Sequence, residues 1–166
     1  MERILSRSAW FVGLVLVQAL LLNNVCLFGV ATPFVYIYFL LVLDRDIDIN
    51  VLLLLAFVLG VSVDVFSNTP GVNAGASVLI AFMRPKVLRL FSPRDEYENF
   101  EPGIYTLGIW GFVRYSVVMV LLHQTALYLL ESFSFAHFGS LLLRVVCSAL
   151  LTVLLLMSVE FVRHKS

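Results

Sequence analysis

Long apolar stretches recur six times along the chain, and the polar segments between them carry positive charge only at every second interval. The stretches cover residues 9–22, 25–43, 49–66, 72–91, 104–130 and 138–162. A helix needs about 20 apolar residues to cross a bilayer, within a range of about 17–25. The first, second and fourth stretches are short by that measure or interrupted, as at Pro33. Such spans are tolerated where neighbouring helices cover them. Hydrophobic residues make up 61% of the chain and charged ones 13%, against about 45–50% and 25% in soluble domains. A soluble fold of 166 residues has no interior large enough for that surface.

The charge pattern sets a direction. Arg3 and Arg7 precede the first stretch, Arg45 follows the second, Arg84, Lys86, Arg89 and Arg94 surround the end of the fourth, and Arg163 and Lys165 close the sixth. Together these are nine of the eleven lysines and arginines. The intervals near Asn23–Asn24, Ser67–Gly71 and Glu131–Gly139 hold none. Basic loops favour the cytoplasmic side, so both termini are expected there, which requires an even number of spans. Arg3 and Arg7 before an apolar run also resemble a signal peptide, but the membrane pattern continues at once and an uncleaved first helix fits better. The expectation is a single polytopic domain, residues 1–166: an all-α integral membrane protein, a compact bundle of about six transmembrane helices. The net charge is zero, and nothing in the sequence suggests nucleic-acid binding, which favours an overall basic domain.

Turn residues mark the boundaries. Thr69-Pro70 offers an N-cap and a first-turn proline for the fourth helix. Ser92 with Asp95 three residues on reads as a capping box, predicting a short cytoplasmic helix over residues 93–100. The segment 84–101 is the largest soluble feature, and Arg84, Arg89, Arg94 and Asp95 are its candidate partner contacts.

An ionisable group within a bilayer costs roughly 2.5–3.5 kcal/mol on insertion scales, so Asp64, Arg114, Arg144 and Glu160 each need a partner or a route to the surface. Arg114 and Glu160 lie near cytoplasmic ends and are expected to reach the interface. Asp64 and Arg144 fall within about one helical turn of the same depth at 1.5 Å per residue. They are expected to form an intramembrane ion pair or a partner- or ligand-facing polar site, with Glu131 in the adjacent loop a competitor for Arg144. Gln124, beside His123, suggests hydrogen bonding between helices. Asp44, Asp46, Asp48 and Asn50 alternate as in a calcium loop but lack its glycine and final glutamate. Cys26 and Cys147 are isolated in apolar runs. No metal ligand set, cofactor motif or nucleophile–base pair is recognisable, and no enzymatic activity is expected.

Two stretches carry a family resemblance. GVSVDVFSNTPG, from Gly60 to Gly71, and FMRPKVLRLFSPRDEY, from Phe82 to Tyr97, resemble segments of the bacterial rod shape-determining MreD family, and LLLRVVCSALLTVLLL in the last stretch is compatible. The resemblance implies a non-catalytic scaffold in the cytoplasmic (inner) membrane, within the complex that guides side-wall peptidoglycan synthesis. It implies MreC and other cell-wall elongation proteins as partners, and a fold like the substrate-binding subunits of energy-coupling-factor transporters. That last likeness supplies the alternative function, a small-molecule-binding membrane subunit of such a transporter, with Asp64, Asn68, Asn73 and Arg144 near its pocket.

Overall fold

The computed structural model describes residues 2–22, 31–92, 100–132 and 138–165. They form an all-helical protein with six α-helices: α1 (Glu2–Leu16), α2 (Tyr38–Val42), α3 (Ile49–Ser67), α4 (Val72–Phe91), α5 (Ile104–Ser132) and α6 (Phe138–Lys165). The first continues as a π-helical stretch, Val17–Leu22, and a 3₁₀ turn, Val35–Ile37, leads into the second. Successive helices from α3 to α6 pack as hairpins.

Among the described residues, three segments are long and apolar enough to cross a membrane: Ile49–Ser67, Ile104–Glu131 and Leu142–Arg163, with Ala9–Leu22 a shorter apolar helix. The distribution of polarity agrees with a multi-pass membrane protein. Leu54, Phe57, Val65, Phe82, Leu150 and Leu154 are each at least half exposed, while Gln18, Asn73, Arg84, His123, Gln124, Thr152 and Glu160 are buried. Water would favour the reverse, because burying polar groups is costly and exposing apolar ones is too. Hydrocarbon solvates the apolar exterior, and the polar groups find their partners inside.

Individual residues explain the helix ends. Asp48 caps α3, its carboxylate accepting from the backbone N–H of Asn50 (2.8 Å) and Val51 (3.4 Å). Asn68, left-handed at φ 53°, and Gly71 at φ 84° make the turn into α4. Gly60 lets α3 and α4 touch: a Cβ there would lie 2.4 Å from the Ala74 Cα. Gly108, at φ 71° and ψ 161°, kinks α5 after its first turn.

Two expectations need correction. The second apolar stretch is not a long helix in its described part. It runs without helical structure from Ala31 to Phe34, and α2 has only five residues. Thr69 does not cap α4, which begins from Gly71 with its first donors taken up by Asp64. Ser92 is the C-cap of α4, and the rest of the expected capping box, Asp95 included, lies outside the described residues. The short helix expected over residues 93–100 falls, except for Phe100, outside the described residues.

Candidate functional site

The polar interior is organised around the segment 31–44. Residues 33–41 are all buried, yet a five-residue helix satisfies few of its own backbone groups, since each helix end leaves four without partners. Side chains from other elements complete the set. Gln18, on the π-helical stretch, donates from Nε2 to the Pro33 carbonyl (3.0 Å) and accepts at Oε1 from the Val35 N–H (2.8 Å). On α6, the Ser148 hydroxyl accepts from the Thr32 N–H and the Thr152 hydroxyl from the Phe34 N–H, both at 3.1 Å. At the other end, the Arg84 guanidinium donates to the carbonyls of Leu41, Leu43 and Asp44, and the Tyr115 hydroxyl donates to Leu41 at 3.2 Å.

The tyrosines of this segment tie it sideways. The Tyr36 hydroxyl donates to Asn73 Oδ1 (3.1 Å) and lies 2.7 Å from His123 Nε2. The hydroxyl has one proton for these two neighbours, and the His123 tautomer decides which atom donates in the Nε2 contact. His123 Nδ1 is a buried atom with no partner, as is Gln124 Oε1. Tyr38 donates to Glu160, whose other oxygen accepts from the Ile104 N–H at the start of α5 (3.1 Å).

Asp64 is 5% exposed and accepts five hydrogen bonds: from the Thr69 hydroxyl (3.0 Å), the backbone N–H of Gly71 (3.1 Å), Asn73 (2.9 Å) and Ala74 (3.0 Å), and Asn73 Nδ2 (3.0 Å). Arg84, Glu160 and Asp64 therefore share one role. Each takes up the unpaired backbone groups at a helix end, where the helix dipole also favours its charge. The arrangement holds helices together. Among the described residues no group of three His, Cys, Asp or Glu is placed to hold a metal ion.

The expected site residues thus separate. Asp64 is not paired with Arg144; its carboxylate is occupied by the α3–α4 turn, and Arg144 is exposed on α6. Arg84, expected as a surface contact, is 1% exposed and is a core group instead. Arg89 is exposed on α4, while Arg94 and Asp95 lie outside the described residues. Glu160, expected at the interface, is fully buried. Gln18, Tyr36, Tyr38, Ser148 and Thr152 were not singled out by sequence reasoning. Only Gln18, a lone amide in an apolar run, gave a usable signal.

The position of Arg84 yields an expected outcome. Arg84→Leu keeps the volume class but leaves the Leu43 carbonyl without its donor and takes one donor each from Leu41, which keeps Tyr115, and Asp44, which keeps the Ile47 N–H. Each buried unsatisfied group costs about 1–3 kcal/mol, so thermal unfolding in detergent should fall steeply. Arg84→Lys, with one point charge in place of a fork, should fall less.

An apolar groove of about 590 Å³ opens between α1 and α6. Ala9, Trp10, Gly13 and Val17 form one wall, Ser158, Val159 and Val162 the other, and Val35 contributes to its lining. No family model, curated protein or solved structure matches the chain.

Proposed function

We propose that this chain is a non-catalytic membrane scaffold of the MreD type, which binds MreC through intramembrane contacts and helps to position peptidoglycan synthesis in a bacterial inner membrane. The sequence support is the stretch GVSVDVFSNTPG. The structural observation that carries the reading is the α1–α6 groove, whose lining is apolar apart from Ser158. A single-span partner offers an apolar helix. Ala9 and Gly13 stand one turn apart on the groove wall, and small residues at that spacing let helices approach closely. The transporter alternative calls for polar groups turned towards a solute. Here Asp64 and Asn73 are bonded to one another (3.0 Å), and no observation favours that alternative.

The test is to tag the chain, extract it in mild detergent and identify what co-purifies. MreC and wall-synthesis enzymes are the expected companions; transporter ATPases with a coupling subunit would overturn the proposal. Gly13→Phe examines the groove itself. A Cβ on Gly13 would meet nothing within 4 Å, so the fold should tolerate the ring while recovery of MreC falls at least tenfold, about 1.4 kcal/mol. Unchanged recovery would remove the groove from the interface.

A further inference from the structure

The end of α4 and the start of α5 form a second surface, of different chemistry. The two helices run antiparallel. Phe91 lies against Gly111, where a Cβ would be 3.9 Å from the Phe91 carbonyl oxygen, and Gly75 lies against Leu130. This register places Arg89 and Arg114 at nearly the same depth, with Lys86 about one turn earlier in α4 at 1.5 Å per residue. All three are exposed. Tyr105 (77%) and Trp110 (75%) stand out from α5 on either side of the Gly108 kink, and Leu90 (77%) from α4. Neither α4 nor residues 104–114 of α5 contain an acidic side chain.

We propose that this belt binds the headgroups of anionic phospholipids. Trp and Tyr rings settle at the boundary between headgroup and hydrocarbon, with polar edges wet and faces apolar. A guanidinium matches a phosphate through paired donors, and Lys86 adds a point charge. The α4 dipole is already served by Arg89 in its last turn. Lys86 has the face of the Phe82 ring beneath its ammonium, 5.2 Å from the centroid, an apolar platform that leaves its charge unneutralised, and Arg114 has no dipole to serve; a bilayer of anionic lipid is the partner that complements all three charges. Basic residues at an anionic surface contribute about 1 kcal/mol each, roughly fivefold in affinity per charge and roughly a hundredfold for three.

The experiment uses the full chain with Trp10→Phe, leaving Trp110 as the only tryptophan, in phosphatidylcholine nanodiscs containing a small fraction of brominated lipid. Brominated phosphatidylglycerol should quench Trp110 severalfold more than brominated phosphatidylcholine at the same fraction. The excess should shrink in high salt, which screens exposed charges, and disappear in Lys86→Gln/Arg89→Gln/Arg114→Gln. Equal quenching by the two lipids, or an excess that survives the triple substitution, would overturn the proposal. Should the triple variant fail to fold by circular dichroism, the two-lipid comparison at low and high salt decides alone.

Discussion

Replacing Asp64 by alanine should destabilise the bundle by on the order of 3 kcal/mol or more, the largest loss expected from removing one small side chain here. The carboxylate takes three backbone donors from the first turn of α4 and two from the side chains of Thr69 and Asn73. Alanine leaves those donors without their acceptor, three of them in the buried part of the protein: the Asn73 and Ala74 N–H groups and Asn73 Nδ2. Asn73 would also lose the anchor that aims its Oδ1 at Tyr36, so the damage should spread to α2 and His123. Asparagine at position 64 keeps an acceptor oxygen and should fall between. Arg144→Ala, at an exposed position, should change stability by no more than about 0.5 kcal/mol. Exchanging the two residues should rescue nothing. Thermal unfolding of the four variants in one detergent separates these outcomes. An Arg144→Ala loss as large as that of Asp64→Ala would reinstate the ion pair.

Gly60→Val should be comparably damaging for a steric reason. The first side-chain carbon would sit 2.4 Å from the Ala74 Cα and 2.7 Å from both the Ala74 nitrogen and the Asn73 carbonyl oxygen. All three are backbone atoms of α4, which cannot rotate aside, so the helices must part. Overpacking costs typically about 1–3 kcal/mol where side chains can yield, and a backbone obstruction belongs at the upper end or above. Gly75→Ala offers a contrast, since the nearest atom is the flexible tip of Leu130 at 3.1 Å, and a small effect of either sign is expected. The α3–α4 separation also sets the Asp64 hydrogen-bond lengths. Gly60→Ala and Asp64→Ala should therefore combine to less than the sum of their separate losses.

The helices α3 to α6 were legible because apolar length and turn chemistry decide them. Gly71 bounds the start of α4 and Pro102-Gly103 precedes α5, close to where their residue types direct. The second stretch was illegible for a physical reason: an apolar run reads alike whether lipid or protein surrounds it, and only tertiary contacts distinguish a spanning helix from a short enclosed one. Polar pairing failed at Asp64 because depth was weighed above sequence distance. Its actual donors lie five to ten residues away and are delivered by the turn, with no long-range docking required. The partners of Gln18, Ser148 and Thr152 could not be read from the sequence, since each bonds to the backbone of a distant segment and one backbone N–H is like any other.

That last circumstance bears on how the chain is made. Thr32 and Phe34 emerge from the ribosome more than a hundred residues ahead of Ser148 and Thr152, which receive their amide protons. Isolated, a five-residue helix lies below the length at which helices nucleate, and bare peptide groups are not tolerated in hydrocarbon. Until α6 enters, the segment needs a substitute: water drawn into the half-built bundle, a stay at the membrane surface, or an insertion factor that shields it. A helix synthesised more than a hundred residues later thus acts as a latch for this segment, and intermediates lacking it should be the species that quality-control proteases recognise.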